Sequence, residues 1–440
     1  MIKLGSTGVR PSSALTWVPW LVGAATLAPL AIFHARFAEL FWFGDEWDML
    51  EQLTQQGAAA WSWKIFGDVF FPIFKLSWSS LLFAGGGSYL VMISALWVTH
   101  AVNVALLGRL LRQEGFGWIG AIFVMLVFGF TSANLETVGW AVQWGAILAM
   151  TFFLGAALWL GGRQEPSGGG VYLGILLALV TASALSFSRG ILTGGVLAVA
   201  SLWPVPERTC PVGWAARWGR ALLCLLPAAV VAATIARYAP GNQTHLFDHN
   251  GTLRHAAQFG LWYFSVNPAY RLLGCSSWAP STALLLGAPK AALIGWGLWH
   301  SQGRGRRLLT VLLLFDVGNA VLLGVGRYDT GLSMVTSSRY QYVSLICTLP
   351  FVGCLLEALP GQPSFAAPRL ALAATAIVAA TWLSARSWSV DLAGWSDARG
   401  RATRELLFVN PRPPAQGAVP GIPYFSTARA QELARQYHLH

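Results

Sequence analysis

Apolar runs of about 17–25 residues, separated by short polar loops, cover most of this chain, the length an α-helix needs to cross a bilayer. They predict spans at about 15–36, 88–111, 117–133, 137–161, 171–188, 190–203, 221–239, 281–300, 308–326, 340–359 and 370–388. The 117–133 and 190–203 runs are short for spans. The run Phe66–Ala84 contains Asp68, Pro72 and Lys75 and reads as a re-entrant or interfacial helix; residues 256–266 are too short to cross. The pattern therefore predicts an all-α polytopic membrane protein of about 11 transmembrane helices, with interfacial helices in a first external loop at 37–87. Residues 1–388 form the membrane domain, and 389–440 a short Pro- and Arg-rich tail expected to pack on the external loops.

Arginine placement orients the spans. With the N-terminus cytoplasmic, Arg109, Arg112, Arg163, Arg217, Arg220, Arg304, Arg307 and Arg369 all fall on the cytoplasmic side, and the tail is extracytoplasmic. If Phe66–Ala84 crossed, Arg109 and Arg112 would move outside. The external face is left with Asp45, Glu46, Asp48, Lys75, Glu136, Arg189, Arg327, Asp329, Arg339 and Tyr340.

Composition agrees. Hydrophobic residues make up 55% and charged residues 11%, with mean hydropathy +0.54, whereas soluble chains carry about 25% charge. The net charge of +11 is scattered a few cations per loop, which excludes a nucleic-acid groove and fits topology signals and anion contacts. The five cysteines show neither a disulfide framework nor a metal pair. Lys3, Arg10 and the apolar Trp17–Phe33 imitate a signal peptide, but without a convincing cleavage site they read as an uncleaved first span.

Candidate chemistry centres on Phe41–Lys75, where Asp45, Glu46, Asp48 and Glu51 crowd together. As a helix, 45–55 puts Asp45, Asp48, Gln52 and Gln55 on one face and turns Trp47, Leu50 and Thr54 the other way, as a helix lying on a membrane surface requires. The acids read either as a helix-start cap or as reactive carboxylates at the lipid boundary. Glu136 is either a helix-start acid or a bridge to substrate or Arg. Arg339 and Tyr340 open an apolar run, so Arg339 reads as a phosphate ligand or as a structural partner of Asp329 or Glu136. Arg189 and Lys75 each line a cavity or snorkel outward. His245, Asp248, His249 and His255 sit among Asn and Gly, a loop without the fixed scaffold a metal needs. Asp316, alone in an apolar run, reads as a proton relay or as a hydrogen-bond partner of Asn319 or a neighbouring span. No nucleotide-binding or hydrolase motif has supporting context.

Several stretches, GDEWDML at 44–50, FFPIFK at 70–75, NLETVGWAVQW at 134–144 and GRYDTG…SRYQY at 326–342, resemble the GT-C superfamily of membrane glycosyltransferases, which includes protein O-mannosyltransferases and aminoarabinose transferases. That resemblance implies transfer of a sugar, with inversion, from a polyprenyl-phosphate donor to a lipid, glycan or protein acceptor outside a bacterial inner membrane. It makes Asp45 the general base with Glu46 its substitute. Arg339, with Arg327 and Lys75, would hold the donor phosphate, and Tyr340, Arg189, Glu136 and Asp48 would line the site. No cofactor is required, although some relatives use a divalent metal that the acids could hold. The sequence departs from the pattern in lacking a His-rich or Asn-Glu-His-Arg element between Trp61 and Pro72. The competing class is a transporter, which needs paired charges near the bilayer midplane and discontinuous helices. The enzyme reading requires Asp45, Glu136, Arg189 and Arg339 to converge on one external cavity beside a lipid-accessible groove.

Overall fold

The computed structural model describes residues 16–67, 69–162, 169–203, 213–238, 250–275, 278, 280–358, 366–409, 418–419 and 422–440. Asp68, Arg163, His245, Asp248 and His249 lie outside the described residues. Among those described, nearly everything regular is helix. The exceptions are a two-stranded antiparallel sheet of Ala418–Val419 and Ile422–Ser426 and a lone bridge between Phe66 and Val69.

Six described helices are long and apolar enough to cross a membrane: Tyr89–Gln113, Ala141–Gly161, Trp214–Tyr238, Ser281–His300, Gly303–Thr330 and Ser338–Ala358. A seventh span results if Trp118–Phe130 and Ser132–Gly139, bent by 49° at their junction, count as one. Their outer faces expose apolar side chains such as Val98, Leu222, Val230 and Val321, a surface that lipid can cover. Val18–Ile32, Gly169–Ala184 and Ser188–Leu202 are apolar but shorter.

Local chemistry explains where elements differ from the hydropathy pattern. The first run breaks after Ala25 because Pro29 has no N–H to bond the Ala25 carbonyl and its ring crowds it. In the Phe66–Ala84 run only Pro72–Ala84 is an α-helix; its 13 residues reach about 20 Å, short of the ~30 Å hydrocarbon core. The stretch around 256–266 belongs to a 17-residue helix, Asn250–Val266. It packs so tightly on Gly303–Arg327 that a Cβ on Gly260 would lie 2.8 Å from the Ala320 carbonyl oxygen. Small residues at such a crossing let two backbones approach.

The helix Ala366–Trp395 runs past residue 388 and continues as a π-helical turn, Ser396–Arg401, so the expected membrane-domain boundary falls inside one element. Farther on, the Thr427–Gln436 helix packs on the first loop. Arg429 Nε donates to Glu51 Oε2 at 2.6 Å, Tyr437 and Thr54 share a 2.9 Å hydroxyl bond, and the Tyr89 amide donates to the His440 carbonyl at 3.0 Å.

Candidate functional site

The acidic stretch folds as the helix Asp45–Gln56, with Asp45, Glu46 and Asp48 in its first turn, where the helix dipole favours negative charge. Gly44 sets its start. Its φ of 59° and ψ of −134° lie where side-chain-bearing residues are strained, and a Cβ there would sit 3.1 Å from the Trp140 ring. The two faces separate as the spacing predicts. Asp45 and Gln55 are exposed, while Trp47, Met49, Leu50 and Leu53 are buried. What covers the apolar face is protein, however, not a membrane surface; Trp47 packs on Phe425 with ring centroids 6.2 Å apart.

Asp45 and Glu46 divide sharply in role. Glu46 is fully buried and accepts three hydrogen bonds, from the Phe43 amide at 2.8 Å, the Val142 amide at 3.2 Å and the Tyr89 hydroxyl at 3.2 Å. It ties the loop to two neighbouring elements and cannot meet a substrate. Asp45 is open to solvent, yet enough protein surrounds it for desolvation to raise its carboxyl above the usual range. The positive fields of Arg339 and Arg327 oppose that rise, and Asp48 adds to it.

Burial pushes Glu46 from 4.5 up to about 8, against the pull of its hydrogen bonds. Between those values the folded protein holds a proton that the unfolded chain has lost, so Glu46 makes stability fall as pH rises from about 4.5 to about 8. Glu46→Gln should flatten that fall. It should also lower stability overall by about 1–3 kcal/mol, because an amide cannot accept from all three donors. Thermal unfolding of both proteins across this pH range measures the two effects; parallel slopes would contradict the assignment.

Two arginines, Arg339 and Arg327, act on Asp45, and the charge of Arg189 is felt together with theirs. Arg339 lies in the 3-10 turn Ser338–Tyr340 just before the helix Gln341–Ala358. Glu136 pins that turn: its Oε2 accepts from Ser337 Oγ at 2.6 Å and from the Arg339 amide at 3.2 Å, and the Glu136 amide donates to Ser338 Oγ at 3.1 Å. From the other side Gln341 Nε2 donates to Asn267 Oδ1 at 2.7 Å, and Asn267 Nδ2 to the Val335 carbonyl at 3.0 Å. The Arg339 guanidinium stands over the rings of Tyr340 and Trp140, and its buried Nε has no hydrogen-bond partner. Arg189, in the 3-10 turn Ser188–Gly190 between two apolar helices, is buried with its Nη1 unpartnered. Desolvation lowers its pKa, and its charge is felt together with those of Arg327 and Arg339. The Tyr340 hydroxyl is also buried without a partner, and Arg327 is exposed at the end of its helix.

Buried donors without acceptors are rare, because each forfeits a bond to water. Here Arg339 Nε, Arg189 Nη1 and Tyr340 Oη occur in one neighbourhood with an accessible carboxylate beside it. Such an arrangement is suited to hold an oxyanion next to a proton acceptor.

Lys75 stands apart. It is fully buried in the helix Pro72–Ala84, its ammonium donates to the Trp61 carbonyl at 3.0 Å and the Lys64 carbonyl at 2.7 Å, and it faces the Trp61 ring at 4.8 Å. Desolvation lowers it to about 8. Its geometry is that of a strut holding the end of the first loop, not of a phosphate ligand. Asp329 is exposed, and the bond of Glu136 to Arg339 is to the backbone amide, which fixes the turn and leaves the guanidinium to the ring contacts.

Sequence reasoning missed three features. Arg399, in the π-helical turn, reaches the site by stacking on Trp395 at 3.5 Å and Phe43 at 4.3 Å. Lys290 is the second: it meets Asp316 in a buried 2.8 Å ion pair, so Asp316 does pair with a neighbouring span as expected, through a partner the sequence did not single out. Two lone, opposite charges in two apolar runs were the available signal for that pair. Asn267 and Gln341, which fix the arginine turn, gave none. A cleft of about 340 Å³ lies toward the other end of the acidic helix, lined by Leu53, Thr54, Leu82, Phe83 and Tyr437 among others. It contains none of these acids or arginines, so chemistry rather than volume locates the candidate site.

The apolar helices, their exposed apolar faces and the buried ion pair between them define a multi-pass helical membrane protein. No protein-family model matches the sequence, and no curated protein matches it either. Among the described residues no group of three or more His, Cys, Asp or Glu is arranged to hold a metal.

Proposed function

We propose that the protein is a membrane glycosyltransferase of GT-C type that moves a sugar from a polyprenyl-phosphate carrier to a hydroxyl acceptor on the extracytoplasmic face. The observation that carries this reading is the accessible carboxylate of Asp45 in the field of Arg339 and Arg327, beside buried, unpartnered donors of Arg189, Arg339 and Tyr340. In the reaction the acceptor oxygen attacks the anomeric carbon as Asp45 takes its proton. The bond from that carbon to the phosphate oxygen breaks with inversion, and the electron pair leaves on the phosphate. The lipid phosphate gains negative charge in that step. Arg339, Arg189, Arg327 and the Tyr340 hydroxyl stabilise it there. Glu136 positions the Arg339 turn, and Glu46 holds the loop that presents Asp45.

In this reading the chain has eleven spans, counting the short and broken helices. The N-terminus is cytoplasmic, the site and tail are external, and the host membrane is a bacterial inner membrane. The helix Pro72–Ala84 lies at the interface. A carboxylate base and an arginine clamp need no metal for this chemistry.

The transporter reading has one specific observation in its favour, the buried Lys290–Asp316 pair between two spans. One assay separates the two readings. Proteoliposomes containing the protein and a radiolabelled polyprenyl-phosphate sugar should accumulate label in acceptor lipid, glycan or protein. Movement of intact donor across the bilayer without covalent transfer would favour the transporter.

A further inference from the structure

Arg399 carries more than the proposed donor site uses. It sits in the π-helical turn Ser396–Arg401, a geometry that recurs at functional sites. Its guanidinium plane is fixed by Trp395 at 3.5 Å and Phe43 at 4.3 Å, which aims its N–H edge rather than leaving it mobile. Nη1 is buried and has no hydrogen-bond partner. The carboxylate paired with it, Glu136, stands off at 3.9 Å and spends its other oxygen on Ser337 and the Arg339 amide. Burial accordingly lowers the Arg399 pKa more than Glu136 restores it.

Glu136 thus gives Arg399 only a long pairing, and its bonds at the Arg339 turn go to a backbone amide and the Ser337 hydroxyl, which leaves positive charge at both arginines under-compensated. Arg339 and Arg399 each lie 5.8 Å from the centre of the Trp140 ring, so they are within about 12 Å of each other. Their surroundings differ. Arg339 belongs with Tyr340, Arg189 and Arg327 on the side of the membrane helices. Arg399 lies against Phe43, two residues before Asp45, on the side of the first loop. A phosphate held between Arg339, Arg189 and Tyr340 would leave Arg399 as a second anion position, across Asp45's neighbour Gly44 and its contact Trp140.

We propose that Arg399 anchors an oxyanion belonging to the acceptor, so that the hydroxyl that Asp45 deprotonates is part of an acidic molecule, a phosphate ester or a carboxylate, rather than a neutral one. This rests on the transferase reading of the site. The charge logic is simple: a fixed, desolvated guanidinium selects an anionic partner and disfavours a neutral analogue that leaves it unpaired.

The test begins with binding, which needs no activity. Full-length protein in neutral detergent, titrated calorimetrically with inorganic phosphate, should bind two equivalents, and Arg399→Gln and Arg339→Gln should each bind one. A single equivalent bound by wild type and lost in both variants means one shared donor site, which overturns the proposal and leaves the transferase reading standing. No phosphate bound by wild type overturns both. In transfer assays, Arg399→Gln should raise KM about tenfold or more for phosphatidylglycerol or for glucuronate, whichever is the acceptor's chemistry. KM for the donor and for neutral diacylglycerol should not change. Equal losses on acidic and neutral acceptors would reduce Arg399 to a structural residue. Arg399→Lys, which keeps the charge but loses the planar stack, should restore part of the acidic-acceptor KM, and it serves if the Gln variant does not fold.

Discussion

Arg339→Gln is expected to lower kcat/KM for a polyprenyl-phosphate donor by about 100-fold or more, the scale of losing one oriented donor to a developing oxyanion, while the protein still folds. The fold should survive because the interactions that hold this turn use the backbone and neighbouring residues. Glu136 accepts from the Arg339 amide and Ser337, Ser338 Oγ donates to the Ala133 carbonyl at 2.6 Å, and Gln341 bonds Asn267. The guanidinium itself contributes an unpartnered Nε and ring contacts. The substitution has a second signature. The Arg339 charge does more than that of Arg327 to hold the Asp45 carboxyl down against desolvation, so its loss must raise the Asp45 pKa. A general base works only when deprotonated, so the acidic limb of the pH–rate profile should move to higher pH. Steady-state kinetics across pH read both effects; a lower rate with an unmoved limb would detach Arg339 from Asp45.

Lys290→Met is expected to destabilise the protein by roughly 3–5 kcal/mol, the usual cost of leaving one member of a buried ion pair alone. Lys290 Nζ donates to Asp316 Oδ2, the Phe264 carbonyl and the Asn267 carbonyl, each at 2.8 Å, and both charged side chains are almost fully buried. Without the ammonium, Asp316 retains only 3.4 Å contacts from Tyr263 and Ser344. Replacing both charges, Lys290→Met with Asp316→Leu, should recover much of the loss, since well-packed apolar pairs often match buried ion pairs. The effect should also reach the site. Tyr263 accepts from Asn319 at 2.8 Å and lies 3.2 Å from the Tyr340 carbonyl, and Asn267 anchors Gln341, so this network underlies the arginine turn. Unfolding midpoints of the single and double variants in detergent decide the matter. A single variant as stable as wild type would contradict the structural role.

The sequence made legible whatever depends on periodicity or on a single residue's chemistry. Runs of apolar residues announced the helices, and the spacing of Asp45, Asp48 and Gln55 against Trp47 and Leu50 announced the two faces of the acidic helix. Tertiary cover was not legible. Nothing local to Trp47 tells that Phe425, far along the chain, would bury it in place of lipid. Glu46 and Asp45 are adjacent and chemically alike, and only packing against Tyr89 and Val142 assigns one to structure and the other to solvent. Lys75 looked free because its acceptors are backbone carbonyls, which every sequence contains. Arg399 was invisible because its aim depends on a π-helical turn that the sequence SDARGR does not advertise. Residues 256–266 read as too short because the turns that precede them in the helix Asn250–Val266 are polar, although glycine crossings at Gly260 and Gly324 bind that helix to its neighbour.

The central claim is that Asp45 is the base of a sugar transfer, and the direct measurement compares wild type with Asp45→Asn for label transfer from radiolabelled polyprenyl-phosphate sugars. Asn keeps the shape of Asp but cannot take a proton. The account predicts that the variant folds, binds donor and loses about 10²–10⁴ in transfer rate. Equal transfer in both proteins would contradict it.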